Sequence, residues 1–352
     1  MTITLSDVAK RAGVSAMTAS RVINGRHGVN AKTQRRVEEA IAALDYVPNR
    51  IARGLNSQKT QTIGLIVPDV VNPFFGPVVR GAETAARKAG YRVLLCNSEG
   101  DLRLEREYIE DLISHRVEGL LVAPASDHSR HSIFSLLRGG FPLVLLDRTL
   151  PDSDCDYVVC DGASGARRLV EHLISLGHRN IAHLTDADDT STGQERLKGY
   201  QEALASAGIP YRDDLIFRTT VDQIGGYRAT QQVLALDPLP TAIFTVNNMT
   251  VVGAMQALRE RDLAVPQDMG LVCFDDVEHL AVLSPFLTVM SQPAETLGSL
   301  GAQLLFERIA GKAGPRSRRI VLQTDLIVRL SCCIKGGVPA RQGQDSLIIS
   351  RR

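Results

Sequence analysis

Several charged or amide residues of this chain stand directly after short apolar runs, where they could do chemistry. Asp147 and Arg148 follow PLVLL, Asn247 follows TAIFTV, and Asp275 follows GLVCF. A charged group at the end of a buried strand costs free energy unless it has a partner. For any one of these residues alone, that partner is as readily another group of the protein as a ligand.

Together with their neighbours, these residues have the chemistry of a site for a neutral, polyhydroxylated ring. Carboxylates accept hydrogen bonds from vicinal hydroxyls, arginine and amide side chains donate to hydroxyl and ring oxygens, and phenyl faces suit the ring itself. The candidate ligand-binding residues are Asn72, Phe74, Phe75, Asp147, Arg148, Arg196, Asn247, Asp275 and Gln292.

The sequence from Thr62 onward predicts the strands that must position these residues. Short β-branched runs alternate with amphipathic helices, which predicts an α/β fold of doubly wound parallel sheets with helices on both faces. Such sheets bind ligands at the carboxyl ends of their strands. A faint repeat indicates two similar lobes, since RGAETAARKAGY and KGYQEALASAGI each contain two glycines at matching positions, Gly81 and Gly90 in one, Gly199 and Gly208 in the other.

The amino-terminal stretch predicts three short helices. Thr4 and Asp7 have the spacing of a capping box, and Gly13 suits the left-handed residue that ends a helix. Ser15 can cap a second helix, AMTASRVIN, and a third follows Asn30. Two short helices joined by a tight turn and followed by a third are the helix-turn-helix arrangement.

The second helix has a slender, polar outer side, which suits a helix that enters the major groove of DNA. Arg21 can donate two hydrogen bonds to guanine or a phosphate, and Met17 can touch a thymine methyl. Lys32, Arg35 and Arg36 on the third helix are expected to hold phosphates or simply to be solvated. A small helical bundle that binds no DNA has the same pattern. The candidate DNA-binding residues here are Ser15, Ala16, Met17, Ser20, Arg21 and Asn24.

Charge is concentrated in this part of the chain. Residues 1–60 contain ten Lys or Arg and four Asp or Glu, a balance of +6, while the whole chain has +1, so the remainder carries −5. A small basic segment on a mildly acidic body indicates a part that meets a polyanion, although a solvated basic surface has the same composition.

Several motifs, in order, resemble the lac repressor (LacI/GalR) family of bacterial transcription regulators. They are DVAKRAGVSAMTASRVING, VEEAIAALDYVPNRIARGL and TIGLIVPDVVNPFFGPVVRG, and the resemblance covers about residues 4–330. It implies a helix-turn-helix domain followed by a two-lobed domain with the periplasmic-binding-protein fold. It also implies a homodimer on pseudo-palindromic operator DNA and a small-molecule effector in the cleft between the lobes.

The resemblance implies that residues 48–60 form a hinge helix and linker that order on operator DNA. Pro48 breaks the third helix, and Asn49 can cap a short new one. Family members insert paired hinge helices into the minor groove, and a leucine of each helix wedges between base pairs. In this chain Leu55 occupies the position of that leucine, and Ala52 would allow close approach of the two helices. A plain flexible linker is the alternative.

The candidate ligand-binding residues match effector-contacting positions of sugar-binding family members, and the set looks closest to ribose-binding relatives. There are departures: Val221 stands where many relatives have an aromatic residue, Gln223 replaces a common arginine, and Asn248 replaces a common aspartate. We therefore expect a pentose or a related aldose or polyol. A purine- or nucleoside-responsive regulator is the alternative, which the pair Asp147–Arg148 disfavours because purines need aromatic stacking and base-edge hydrogen bonds.

The predicted organisation has four parts. They are a helix-turn-helix DNA-binding domain at 1–47, the hinge and linker at 48–60, an effector-binding and dimerisation domain at 61–335, and a tail at 336–352 to which no function is assigned. Within the larger domain, the N-lobe is expected at about 62–160 and 293–322, and the C-lobe at about 161–290 and 323–335.

Other classes of protein are disfavoured by motifs that the sequence lacks. It has no GxSxG, HExxH, Walker or GxGxxG motif, and the HxxH at His128 and His131 lacks the cysteine or carboxylate spacing of a metal site. Its six cysteines have no CxxC spacing, and Cys96 and Cys273 are interpreted as core thiols. With no signal peptide and no apolar run near the ~20 residues that span a bilayer, we expect a cytoplasmic regulator without cofactor, metal or membrane association, rather than an enzyme or an exported transport receptor.

Overall fold

A computed structural model describes residues 3–23, 28–46, 60–186, 189–276 and 286–332. The chain divides into two compact units, residues 1–60 and residues 61–352. Most of the predicted hinge and the whole predicted tail lie outside the described residues.

The described residues of the amino-terminal unit form three short helices around a small apolar core. The helices are α1 Leu5–Ala12, α2 Ala16–Ile23 and α3 Ala31–Ala43. Their buried residues are Val8, Ala9, Ala12, Ala19, Val37 and Ala40. Because these side chains are mostly alanine and valine, the helices can approach closely, and a core of this size suffices for so short a segment.

Local signals in the sequence set the helix ends. The predicted capping box is present: the Thr4 N–H donates to the Asp7 carboxylate at 2.9 Å, and the Asp7 N–H donates to the Thr4 hydroxyl at 3.4 Å. Gly13 has the left-handed backbone expected after α1, with φ at +62°. Asn30 caps α3 by accepting a hydrogen bond from the Thr33 N–H at 2.8 Å.

The larger unit, in the part that the structure describes, contains two six-stranded sheets. The strands are β1 Thr62–Val67, β2 Arg92–Asn97, β3 Leu120–Val122, β4 Leu143–Leu146, β5 Asp156–Cys160, β6 Ile181–Thr185, β7 Ile216–Arg218, β8 Ala242–Thr245, β9 Gly270–Phe274, β10 Thr288–Ser291, β11 Arg319–Leu322 and β12 Asp325–Ile327. The first sheet has the order β11-β5-β4-β3-β1-β2 and is parallel throughout. The second has the order β12-β10-β9-β8-β6-β7, with β12 antiparallel to β10.

Helices cover both faces of each sheet, as the alternating sequence pattern predicted. They are α4 Phe75–Lys88, α5 Leu102–Ser114, α6 Arg130–Arg138, α7 Gly162–Ser175, α8 Ser191–Ser206, α9 Gln223–Val233, α10 Asn248–Glu260 and α11 Ala294–Ile309. In the first lobe α4 and α11 pack on one face and α5 and α6 on the other. In the second lobe α7 and α8 cover one face and α9 and α10 the other. The α/β fold of two doubly wound lobes is therefore confirmed.

The chain passes between the lobes three times. It leaves the first sheet after β5, returns after β10 to form α11, and crosses again between β11 and β12. Only Gln323 and Thr324 separate β11 from β12. Each lobe is thus completed by a strand from the far end of the chain.

The glycine repeat of the sequence corresponds to one packing motif used in both lobes. A Cβ on Gly81 of α4 would lie 2.0 Å from the Glu295 carbonyl oxygen of α11, and a Cβ on Gly199 of α8 would lie 2.2 Å from the Ala163 carbonyl oxygen of α7. No side chain fits at such distances, so glycine permits the close helix pair.

Two further observations concern the burial of the cysteine thiols and whether any helix could span a membrane. Cys273 is buried in the core, as expected, whereas Cys96 on the edge strand β2 is only partly buried. Within the described ranges, no helix is both long enough and apolar enough to cross a bilayer.

Candidate functional site

Helix α2 of the amino-terminal unit presents a slender outer face to solvent. Met17 is 70 % exposed, and Ala16 and Arg21 are exposed on the same helix, while Ser20 is half-buried. The opposite side is fixed by Ala19, which is fully buried. The face expected to read DNA is therefore an accessible one.

Ser15 serves the start of this helix. Its hydroxyl accepts a hydrogen bond from the Thr18 N–H at 3.1 Å, as predicted for a cap. The remaining candidate DNA-binding residues lie outside the described residues, and their contacts stay predictions: Asn24, Asn49, Ala52 and Leu55.

Arg36 differs from the expectation that it holds phosphate or is only solvated. Its Nη2 donates to the backbone carbonyls of Ala12 and Gly13, the latter at 3.3 Å, and so binds the last carbonyls of α1. Arg35, in contrast, forms an exposed pair with Glu39 at 3.3 Å. Arg36 therefore joins α3 to the turn of the helix-turn-helix pair, a contact that depends on how the helices pack.

A cavity of about 1030 Å³ lies between the two lobes of the larger unit, at the carboxyl ends of the strands in both sheets. Doubly wound sheets bind their ligands in this place. The structure brings all the candidate ligand-binding residues to its wall: Asn72, Phe74, Phe75, Asp147, Arg148, Arg196, Asn247, Asp275 and Gln292.

Two buried aspartates occupy matching positions on opposite lobes. Asp147 follows β4 and Asp275 follows β9, each the third strand in the order of its sheet. Both have left-handed backbones, with φ at +64° and +75°, which is uncommon outside glycine. Their N–H groups donate to the next strand, to the Val158 carbonyl at 3.0 Å and the Met290 carbonyl at 2.9 Å. The sheets hold the strained backbones that place the two carboxylates at the cavity wall.

Arg148 is fixed by backbone carbonyls rather than by a second carboxylate. Its Nη1 donates to the carbonyl oxygens of Pro124 and Ala125, at 2.8 Å each. Its Nε lies 3.7 Å from Oδ2 of Asp147, too far for a hydrogen bond, and is buried without a hydrogen-bond partner. Arg148 therefore has an unsatisfied N–H donor in a side chain that lines the cavity.

Arg196 reaches the same cavity from the second lobe. Its Nη1 donates to the Val246 carbonyl at 2.7 Å, and its guanidinium lies 4.0 Å from the centre of the Phe274 ring. The side chain is buried, and its Nε has no hydrogen-bond partner. An arginine held by a carbonyl and an aromatic face keeps its position without a direct ion pair.

The two amides are largely used by the protein itself. Asn247 caps α10: its Oδ1 accepts from the N–H and the hydroxyl of Thr250, at 2.8 and 2.6 Å, and its Nδ2 donates to the Val221 carbonyl at 3.0 Å. Gln292 donates through Nε2 to the Asp275 carboxylate. Asn247 therefore retains one N–H for a ligand, and Gln292 acts on Asp275 before it acts on anything in the cavity.

The aromatic pair differs from the open platform that the sequence predicted. Phe74 and Phe75 belong to the apolar core of the first lobe, with ring centres 5.0 Å apart in an edge-to-face arrangement. Asn72 supports this turn by accepting a hydrogen bond from the Phe74 N–H at 2.9 Å. Since each ring is mostly covered by core side chains, the pair offers the cavity an apolar wall and little stacking surface.

Burial sets the electrostatics of the two aspartates. It raises the pKa of Asp147 to about 6, against the opposing pull of the Arg148 and Arg196 charges and with a further increase from Asp275. Burial also raises the pKa of Asp275, which Arg196 and the hydrogen bond from Gln292 partly offset. Each carboxylate is thus costly in its ionised form, and hydroxyl donors from a ligand would lower that cost.

Glu105 is a buried carboxylate that the sequence reasoning missed. It lies on α5, accepts a hydrogen bond from the Ala125 N–H at 2.7 Å, and is only 1 % exposed. Burial raises its pKa, while the Ala125 hydrogen bond, the Ser129 hydroxyl and the Arg148 charge lower it. Glu105 therefore holds the loop whose carbonyls hold Arg148, a role that only the tertiary structure reveals.

A second missed feature is a hydrogen-bonded bridge between the lobes beside the cavity. The Asp127 N–H of the first lobe donates to the Asp189 carbonyl of the second at 2.8 Å. Gln194 of α8 donates to the Asp127 carboxylate at 3.1 Å. Because α8 also carries Arg196, the bridge joins the wall residues of one lobe to those of the other.

Models of protein families match nearly the whole described chain. Residues 4–49 match bacterial regulatory proteins of the lacI family. Residues 60–329 match the periplasmic binding proteins and sugar-binding domain of the LacI family. The resemblance inferred from the sequence motifs is confirmed.

Curated and solved relatives agree. The HTH-type transcriptional repressor PurR of Aliivibrio fischeri (strain ATCC 700601 / ES114) is 34% identical over 331 residues, 93% of this chain and 98% of that protein. The ribose operon repressor of Escherichia coli (strain K12) is 35% identical over 306 residues, 87% of this chain and 93% of that protein. A lac repressor dimer bound to operator and the anti-inducer ONPF has a TM-score of 0.83 at 28% identity, covering 95% of this chain and 100% of that one.

These relatives are transcriptional repressors, that is, DNA-binding regulators rather than enzymes. Two consecutive family models account for the helix-turn-helix unit and for the two-lobed unit, in the order that the family has. The chain therefore belongs to the lacI family of bacterial regulatory proteins.

Proposed function

We propose that the chain is a transcriptional repressor whose affinity for operator DNA is controlled by a small sugar, a pentose or a related aldose or polyol, bound between the lobes. One observation carries the sugar assignment. Two buried carboxylates, Asp147 and Asp275, share a cavity with two arginines, Arg148 and Arg196, whose Nε donors have no hydrogen-bond partner. Vicinal hydroxyls satisfy both kinds of group, because each hydroxyl donates one hydrogen bond and accepts others.

A purine effector is the second candidate, favoured by the likeness to the repressor PurR. The described cavity wall supplies little for a purine ring to stack on, since its aromatic residues, Phe74 and Phe75, are mostly covered by the core. Val221, also at the wall, is aliphatic. The likeness to a ribose operon repressor is of similar strength and agrees with the polar wall.

A thermal-shift screen against pentoses, hexoses, sugar acids, nucleosides and purines tests this proposal. A pentose or related polyol at 100 times its Kd should add ~2.7 kcal/mol to the free energy of unfolding. The same sugar should give no shift with the Asp275→Ala variant. A shift with hypoxanthine or guanine and none with any sugar would replace the sugar by the purine.

The exposed face of α2 is proposed to read the operator in the major groove, with Ser15, Ala16, Met17, Ser20, Arg21 and Asn24 at the interface and Asn49, Ala52 and Leu55 acting in the minor groove. Arg21 is exposed and is the strong hydrogen-bond donor of this face, so Arg21→Ala should cost ~1–3 kcal/mol of operator binding and flatten the preference at one symmetric base pair. Binding-site selection measures this. Lys32→Ala is the control, because loss of a phosphate contact should weaken all sequences alike. If Arg21→Ala keeps the native consensus sequence and Lys32→Ala changes it, the face that reads the bases lies on α3 and not on α2.

Homodimerisation is proposed to cover the edge of the first sheet at β2. Leu94 and Leu95 of this strand are 41 and 45 % exposed. An edge strand with apolar side chains open to solvent needs a cover, and a lac repressor of similar structure is a dimer. Sedimentation equilibrium should find dimers for the native chain and monomers for Leu95→Glu. Monomers of the native chain at micromolar concentration would contradict the proposal.

A further inference from the structure

We propose that the cavity admits only effectors without negative charge, so that the free sugar, and not its phosphate ester or its acid, is the signal. This inference rests on the proposed function and narrows the class of ligand that the same site takes. It follows from the charge of the wall, from the way its arginines are already engaged, and from the way the neighbouring helix ends are capped.

The described wall of the cavity is strongly acidic. It has eight carboxylates and three arginines, and no lysine or histidine among its described residues. Besides the two buried aspartates, the carboxylates are Asp69, Glu99, Asp101, Asp186, Asp189 and Asp222. An anion that enters loses part of its hydration and meets a field of the same sign, so both terms oppose binding.

The two buried arginines do not offset this field for a second anion. Arg148 lies beside Asp147, with Nη1 shared by two backbone carbonyls, and Arg196 is held by the Val246 carbonyl and reduces the cost of ionised Asp275. Each therefore has a carboxylate of the protein close to it. A ligand anion therefore shares each guanidinium with a carboxylate of the protein and gains less from it than it would from an unpaired arginine.

Two helix N-termini at this wall, of the kind that binds phosphate through backbone N–H groups, are occupied by carboxylates of the protein. Asp101 accepts from the N–H groups of Arg103 and Leu104 at the start of α5, at 2.6 and 3.3 Å. Asp222 accepts from the Gly225 N–H at the start of α9, at 2.6 Å. A phosphate would have to displace an ionised cap from each of these ends, losing one charge-assisted hydrogen bond for every one it made.

Isothermal titration calorimetry on the full-length native chain tests this inference with three probes: the free sugar found in the screen, its phosphate ester, and the corresponding sugar acid. We expect the phosphate ester and the acid to bind at least tenfold more weakly than the free sugar. We also expect added salt to reduce this difference in affinity, because salt screens the repulsion of the anions and leaves binding of the neutral sugar unaffected.

Two substitutions sharpen the test. The double variant Asp101→Asn and Asp222→Asn keeps good helix caps and removes two charges from the wall. The ratio of the affinities for the free and the phosphorylated sugar should therefore fall severalfold. Asp325→Asn is the matched control, because Asp325 is an exposed carboxylate of β12 outside the cavity wall. This variant should leave the affinity ratio unchanged.

The outcomes separate the two proposals. A phosphate ester or acid that binds as tightly as the free sugar overturns the charge inference and leaves the sugar effector standing. Hypoxanthine binding with no response to any sugar overturns the proposed effector. The charge inference would then be overturned only by a purine nucleotide that binds as tightly as the base.

Discussion

The two lobes build the same backbone at the cavity and then place different chemistry on it. In each lobe an aspartate follows the third strand of the sheet, has a left-handed φ and donates its N–H to the next strand, Asp147 in the first lobe and Asp275 in the second. Their partners differ, since Arg148 adjoins Asp147 in the chain, whereas Asp275 receives a hydrogen bond from Gln292 of β10's end. The repeated fold fixes where a carboxylate stands, and the neighbouring residues decide how costly its charge is.

The largest expected effect comes from removing one carboxylate at a time. Asp275→Ala deprives the buried guanidinium of Arg196 of one of its opposing charges, so we expect effector affinity to fall at least a hundredfold and the protein to lose a few kcal/mol of stability. Asp147→Ala should lower affinity by a similar factor at less cost in stability, because Arg148 keeps two backbone carbonyls. Calorimetry and thermal melts measure both. Equal losses of stability would erase the distinction between the lobes.

One contribution to the pH dependence of effector binding should come from Asp147 in the first lobe. The pKa of Asp147 is raised to about 6, so its ionised form costs the folded protein stability above that pH, and this cost is relieved as the pH falls through 6 toward the ordinary value. An effector that needs the ionised carboxylate should bind about tenfold more weakly for each pH unit below 6. Asp147→Asn should remove the part of the dependence with a midpoint near pH 6. A transition near pH 6 that persists in that variant would assign the titrating group elsewhere.

Substitutions of Glu105 test whether the position of Arg148 depends on the loop that holds it. Glu105→Ala removes the acceptor of the Ala125 N–H, and we expect about a tenfold loss of effector affinity through misplacement of Arg148. Glu105→Gln keeps an acceptor for that N–H and should recover most of the affinity. If both variants bind equally poorly, the charge of Glu105 matters and not its hold on the loop.

The smallest effect is expected at the bridge between the lobes. Gln194→Ala deletes one hydrogen bond to the Asp127 carboxylate, worth ~0.5–1.5 kcal/mol, and should weaken effector binding a few-fold. Gln201→Ala, on the same helix α8 and away from the cavity wall, is the control. No difference between the two variants would show that the bridge does not contribute to closure around the ligand.

The parts of the molecule that the sequence predicted well depend on local rules. Thr4, Gly13 and Asn30 act at helix ends through neighbours within four residues, so their residue types and spacing were sufficient. The strand-end positions of Asp147 and Asp275 followed from apolar runs of the right length. Alternation of strands and helices likewise predicted two parallel sheets.

The parts that the sequence did not predict depend on distant neighbours. Arg36 contacts a turn 23 residues away, and Glu105 contacts a backbone N–H 20 residues away, distances over which no periodic pattern extends. Asn247 was expected to donate to a ligand, but its amide mostly caps α10, a role that the Asn-x-x-Thr spacing to Thr250 could have indicated. The core packing of Phe74 and Phe75 required knowledge of what lies behind them.

The three chain crossings between the lobes restrict how the cavity can change shape. Two rigid bodies tied side by side by three short tethers cannot slide past one another, because each tether would have to stretch. The motion that remains is rotation about an axis that runs near the tethers, among them Gln323 and Thr324. A ligand that contacts both Asp147 and Asp275 can therefore only rotate one lobe relative to the other about this axis. Residues far from the axis move farthest for a given change in the width of the cavity.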